Sequence, residues 1–377
     1  MDAPLGRSGG TDMLVESGLA LPLAGLLAGT AMGYVARRHH FCTLSALERR
    51  WYAGDDNGLR AWGLAILVAI VLTQILVLAG QFAPEQSFYL TPAFGWTGAI
   101  LGGLAFGVGM ALVGTCGFGA LVRLGGGSLR GLVVIIVLGL SALAAQRGVL
   151  ALGRVALVDS QAYDLTRLGA PDQTLGAVAS ALAGRDLRWL MTLVVVAALG
   201  AWVFRAPSFR ADRGKILAGI VIGAAVAFGW LATAHVAGLS FAPVQVESAS
   251  FVVPPGDLIL QIVAYTGALP DYGVGLVLGV VGGAALAAWR RGDVRWEACD
   301  DARELSRHLV GAMLMGVGGV FSLGCTIGQG ISAASLLTIS APIVLISIAI
   351  GARLGLAYIL EGSIRHAFRG IERRPAE

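Results

Sequence analysis

Residues 103–119 read GLAFGVGMALVGTCGFG, and residues 312–328 read AMLMGVGGVFSLGCTIG. A shift of 209 places Gly107 on Gly316, Val108 on Val317, Gly109 on Gly318, Cys116 on Cys325 and Gly119 on Gly328. A weaker echo at a shift of 194 places Gly25 and Gly29 on Gly219 and Gly223. Each copy is an apolar run that ends in a glycine-rich break holding a cysteine. The first copy leaves loop 81–94 and the second leaves loop 290–308, so the two enter the bilayer from opposite sides. Inverted repeats with helices broken near the midplane are a transporter or channel architecture.

Composition agrees with a membrane bundle. The chain is 56% hydrophobic and only 13% charged, with a mean hydropathy of +0.77. A soluble domain is about 25% charged and cannot cover itself with so little polar surface. Runs near the roughly 20 residues a span needs fall at 19–36, 61–80, 95–113, 131–145, 189–204, 216–239, 273–289, 309–323 and 337–360, the last interrupted by Arg353. These predict an all-α polytopic bundle of about nine transmembrane helices plus short re-entrant helices. It forms a single integral membrane domain over 1–377, with pseudo-symmetric halves at roughly 19–188 and 189–360. The piece 257–269 is too short to cross and reads as re-entrant or interfacial. Segment 146–188 reads as an external loop with short amphipathic helices.

Charge sets the orientation. Arg37, Arg38, Arg49, Arg50 and Arg60, then Arg205, Arg210, Arg213 and Lys215, then Arg365, Arg369, Arg373 and Arg374, cluster between or after apolar runs. Loops 81–94 and 240–257 carry only acids, Glu85, Glu247 and Asp257. The positive-inside rule puts the basic loops in the cytoplasm, the N-terminus outside and the C-terminus inside. Loop 290–308, with five Arg against five acids, falls inside by alternation. The net charge of +4 therefore orients the chain in the membrane and is not a footprint for nucleic acid. Asp2, Asp12 and Glu16 precede the first run, the wrong charge for a signal peptide.

Non-helical backbone at membrane depth must line a cavity or be buried in protein. The free N–H groups of a break, and the positive end of the helix after it, suit a small anion. Candidate residues for such a path are Gly114, Cys116 and Gly117 in the first copy, and Gly324, Cys325, Thr326 and Gln329 in the second. Ser332 and Ser335 follow as further polar groups, and Arg123 is an electrostatic attractor. Each has a plainer alternative. Membrane cysteines often only pack. Gly25–Gly29–Gly33 and Gly275–Gly279–Gly283 read as helix-packing stripes. His39 and His40 read as solvated charge, and Cys299 as incidental. Gly125–Gly127 follow no strand and are not a dinucleotide loop. No C-x-x-C pair, metal site, cofactor or catalytic constellation is expected.

The two cysteine-glycine segments, Gly114–Gly119 with Arg123 and Ser128–Leu129–Arg130, and Leu323–Gly330 (LGCTIGQG), together with Phe41–Cys42, resemble the YeeE/YedE family of sulfur-transport membrane proteins. Thr115 stands where Gly is commoner. The resemblance implies an inner-membrane permease for thiosulfate or a related small sulfur anion, with Cys42, Cys116 and Cys325 along a narrow path. It also implies a small TusA-like cytoplasmic sulfur-carrier protein as a partner. A membrane sulfurtransferase or docking subunit is the alternative, and a structural subunit whose cysteines merely pack is a third.

Overall fold

The computed structural model describes residues 18–240, 243–264, 270–299 and 301–362. The acidic N-terminal residues, the tail arginines from Arg365 onward and residues 265–269 of the short expected helix lie outside them. Among the described residues, helices fall on each of the apolar runs: α1 (Ala20–His39), α2 (Asn57–Leu78), α3 (Gly103–Val113), α4 (Leu129–Arg147), α5 (Arg188–Phe204), α6 (Arg213–Leu239), α7 (Tyr272–Arg291), α8 (Ala302–Phe321) and α9 (Ser340–Glu361). Among the described residues, six stretches are long and apolar enough to cross a membrane: Asn57–Leu78, Gly98–Gly125, Leu129–Arg147, Arg213–Leu239, Tyr272–Arg291 and Ser340–Glu361. Of the rest, α5 is shorter, α1 ends in Arg37, Arg38 and His39, and α8 begins with a charged turn. The chain is thus a multi-pass helical membrane protein.

Local chemistry explains where the helices begin. Asp212, Asp271 and Asp301 cap α6, α7 and α8, each carboxylate accepting the backbone N–H three residues on. The residues between α6 and α7 include a short helix, Pro254–Val263, opened by proline at its first turn. Segment 146–188 holds the short helices Leu150–Leu157 and Leu175–Ala183 and a two-residue strand, Tyr163–Asp164, paired with Ala93–Phe94.

Glycine decides which helices meet. The principal pairs are α1 with α7, α2 with α6, α3 with α9 and α4 with α8, with α1 also on α6 and α3 on α8. A Cβ on Gly29 would lie 2.2 Å from the Leu276 carbonyl oxygen of α7, and one on Gly223 would lie 2.5 Å from that of Ala65 in α2. Likewise Gly107 abuts the Ile348 carbonyl of α9, and Gly316 that of Leu138 in α4. Backbones in such contact leave no room for a side chain. The outward faces carry Leu27, Ile75, Leu140, Leu193 and Ile346, all exposed, as a lipid-facing surface requires.

Each end of the bundle is tied by its own contacts. At one end Arg37 pairs with Asp293 at 2.9 Å and Arg291 donates to the Arg38 carbonyl. At the other, Ser87 bridges to Val246 and Gln173 donates to the Thr91 carbonyl. Arg353 does not interrupt α9, which is continuous to Glu361. Its guanidinium donates to the Tyr52 hydroxyl at 2.5 Å, lies 3.5 Å from Glu361 and stacks 5.0 Å from the Tyr52 ring centroid. Its charge is met within the protein, so the backbone has no reason to break there.

Candidate functional site

The first break is shorter than its glycine content suggests. Helix α3 stops at Gly114, whose φ of +76° is left-handed and suits glycine. Thr115 and Cys116 follow, and a new helix, Gly117–Gly125, begins at once. Cys116 is its N-cap, and its thiol sulfur accepts the Gly119 N–H at 3.5 Å. The second break follows α8. Leu323 and Gly324 take φ of +58° and +156°, and the Cys325 sulfur accepts the Gly328 N–H at 3.4 Å. A π-helical turn, Gly328–Ala333, then leads toward α9. The two breaks therefore end alike, with a thiol over the first free amides of the next turn.

A third thiol joins them. Cys42 sits in the turn after α1, in extended conformation, and caps the short helix Thr43–Glu48. Its sulfur lies 3.9 Å from the Thr115 hydroxyl, and the Thr43 hydroxyl lies 4.0 Å from the Cys116 sulfur. Thr326 sits beside Cys116, fully buried, its hydroxyl facing the thiol. Cys116 and Cys325 are each 1% exposed, whereas Cys42 is only partly buried. Phe118 and Phe251, 5.0 Å apart by ring centroids, close the far side of the first break.

Other expected residues have different duties. The Gln329 amide donates to the Ser322 carbonyl at 2.9 Å and accepts from the Ser340 hydroxyl at 3.2 Å, fastening the second break to the start of α9. Ser332 donates to the Ala249 carbonyl, and Ser335 links Trp230 to Ser332. Arg123 curls back so that its guanidinium donates to the Gly114 carbonyl at 2.7 Å, satisfying the end of α3. Gly117 sits where a Cβ would lie 2.9 Å from the Phe251 carbonyl oxygen. Cys299 lies apart, partly buried in the loop between α7 and α8.

Cavities reach the breaks from both ends. At the basic end a cavity of about 230 Å³ is lined by Arg37, His40, Cys42, Arg49, Thr115 and Arg123, and by no carboxylate. It shares Arg37, Thr115 and Arg123 with a cavity of about 470 Å³, where Arg130, Arg295 and Arg307 face Asp293, Glu297 and Glu304. At the opposite end a cavity of about 400 Å³ is lined by Thr91, Gln173, Ser322, Leu323, Gln329 and Ser340. Neither Cys116 nor Cys325 lines any of them. The sequence flagged Cys42 and Arg123 but passed over Thr43, Thr115 and the basic cavity. A run of Arg37, His40 and Arg49 around Cys42 was the available signal.

Helices broken in pairs at the middle of a bundle, with solvent cavities approaching from either end, define a membrane transport protein. Residues 38–354 match the family described as Sulphur transport, and the chain belongs to that family. It is similar to the thiosulfate transporter TsuA of Escherichia coli (strain K12), at 26% identity over 84% of this chain and 88% of that protein. A thiosulfate transporter TsuA of Spirochaeta thermophila is likewise 26% identical, over 84% of this chain and 92% of its own length. The YeeE/YedE resemblance, resting on the cysteine-glycine segments, leads to this same family.

Proposed function

We propose that the protein moves thiosulfate, or a closely related small sulfur anion, across the cell inner membrane along a path marked by Cys42, Cys116 and Cys325. The observation that carries this is the meeting of two like-built thiol caps between a basic cavity and one whose charges, Arg154 and Asp159, balance. The similarity to two proteins named thiosulfate transporters supports the substrate. The anion enters by the cavity at Ser322 and Gln329, passes Gly324, Cys325, Thr326 and Cys116, and leaves past Thr115 and Cys42. The positive end of Gly117–Gly125 favours negative charge beside Cys116. Thiols are weak donors and polarizable, so they hold a soft anion without trapping it. Moderate binding at successive sites lets an ion leave as readily as it enters.

Two inverted halves, 19–188 and 189–360, frame that path. Repeat-matched glycines with matched tasks support this: Gly29 meets α7 where Gly223 meets α2, and Gly107 meets α9 where Gly316 meets α4. The basic end faces the cytoplasm and the acid-only loops face outward, with the N-terminus outside and the C-terminus inside. The arginine-lined cavity then receives the anion on the inner side.

The test is uptake of radiolabelled thiosulfate by proteoliposomes holding this protein alone. Uptake that saturates and needs the protein is the expected result. A second reading, transfer of sulfane sulfur to a small TusA-like carrier, is favoured by Cys42, whose thiol lines the basic cavity. It predicts no uptake until such a carrier is supplied.

A further inference from the structure

A sulfur oxyanion at the buried thiols faces a shortage of donors. No side-chain cation reaches them: the Arg123 guanidinium is bound to the Gly114 carbonyl. Backbone amides face both sulfurs: that of Gly119 at Cys116, and those of Gly328, Phe251 and Ile327 at Cys325. Ser322, Ser332 and Ser335 give their hydroxyl protons to backbone carbonyls. A negatively charged oxygen out of water without a hydrogen bond is strongly disfavoured. Beyond the backbone amides, the oxygens need side-chain donors.

Three threonine hydroxyls stand beside the thiols. Thr326 is fully buried, and the partner its hydroxyl meets is the Cys116 thiol. Thr43 and Thr115 are 7% and 2% exposed, and the bonds recorded for them are loose ones to sulfur, at 4.0 and 3.9 Å. A buried hydroxyl whose partner is a thiol is weakly satisfied, because sulfur is a poor acceptor, and an oxygen of a ligand would serve it better. Threonine serves here as a rigid donor whose methyl keeps the wall apolar.

We propose that Thr43, Thr115 and Thr326 are the specificity-determining donors for the oxygens of the anion, while the adjacent thiols contact its terminal sulfur. The site then selects an anion with one soft end and one oxygen-bearing end, over a purely soft anion or a purely oxygen-rimmed one. This rests on the thiosulfate reading above.

The test compares wild type, Thr43→Val, Thr115→Val, Thr326→Val and Thr326→Ser for radiolabelled thiosulfate uptake in proteoliposomes. Thermal stabilisation of the purified proteins by thiosulfate and by hydrosulfide is measured alongside. Valine keeps the shape and removes the donor. Thr326→Val is expected to lose uptake about tenfold or more at equal protein content, the scale of one lost buried hydrogen bond. Thr326→Ser should recover most of it. Stabilisation by thiosulfate should fall in the valine variants, while that by hydrosulfide, which has no oxygen, should not. Wild-type uptake with Thr326→Val transporting equally well overturns the donor set and leaves the transport reading standing. A wild type that neither binds nor takes up thiosulfate overturns both.

Discussion

Cys116 and Cys325 stand 209 positions apart in sequence and hold the same local position: each sulfur accepts the amide three residues on, at 3.5 and 3.4 Å. A thiol is a poor N-cap compared with Ser, Thr, Asp or Asn. Its presence at both breaks is therefore better explained by what the sulfur offers a ligand than by helix stability.

Removing either sulfur should stop transport more than it harms folding. Cys116→Ala and Cys325→Ala are expected to lower thiosulfate uptake about ten- to hundredfold, from roughly 1–3 kcal/mol of lost interaction at the limiting barrier. Cys42→Ala should cost less, because it lines a cavity. Cys299→Ala should match wild type. Uptake and membrane abundance measured together decide it, and normal transport by both buried-site variants would leave packing as the role of these cysteines.

Glycine variants should separate two kinds of defect. Gly29→Leu places a side chain against the α7 backbone, where even a Cβ would be 2.2 Å from an oxygen, so the protein should fail to accumulate. Gly117→Leu presses on the Phe251 carbonyl and Leu138 at the break itself. It should insert normally yet lose uptake. Quantitative blotting of membranes beside uptake distinguishes the two, and full uptake by Gly117→Leu counts against a path at this break.

Gln329 should behave as a clamp. Gln329→Leu leaves the Ser322 carbonyl and the Ser340 hydroxyl without it, at a cost of about 1–3 kcal/mol for a buried polar group left unpaired. Thermal unfolding in detergent should shift down, and uptake per folded molecule should fall less than in Cys325→Ala. An unchanged melting temperature would refute the clamp.

Orientation is open to labelling. A single cysteine placed at the exposed Glu85 should react with an impermeant maleimide on intact cells. One placed at the exposed Arg210 should react only after permeabilisation. The reverse pattern would invert the assigned sides and leave the packing of the helices untouched.

Glu247, in the loop before Pro254–Val263, should make stability depend on pH. Burial first, then the Asp271 and Asp257 carboxylates, push its carboxyl up from its ordinary 4.5 to about 8, against the pull of the Gly273 amide. A carboxyl raised on folding holds its proton more tightly when folded, so stability is greatest at low pH and declines between about pH 4.5 and 8. Asp257, raised to about 6 by burial and Asp271, with Arg147 opposing, adds to the decline. Glu247→Gln should raise the melting temperature at pH 8.5, with little change at pH 5. A lower melting temperature at pH 8.5 would mean that the carboxylate is paired and stabilising.

The sequence alone determined that this is a helical membrane bundle, where its long helices run, and that two matched cysteines sit at glycine breaks. Those features are local: the length of an apolar run, the positive φ that Gly114 supports, and the spacing of Cys116 from Gly119 are carried by neighbouring residues. It placed α9 but left the charge inside it unexplained, because hydropathy registers Arg353 and not Tyr52, from a distant position, and Glu361, two turns on, that meet it. Only the tertiary structure decided that Cys42 lies against Thr115, 73 residues away, and that Thr43 lies against Cys116. It also set Arg123 as a cap on Gly114 at the wall of the basic cavity, and Gln329 as a tie between Ser322 and Ser340. Such pairings depend on which helices pack together and at what depth. Apolar periodicity leaves that choice open, and close backbone contact at Gly29, Gly107, Gly223 and Gly316 makes it.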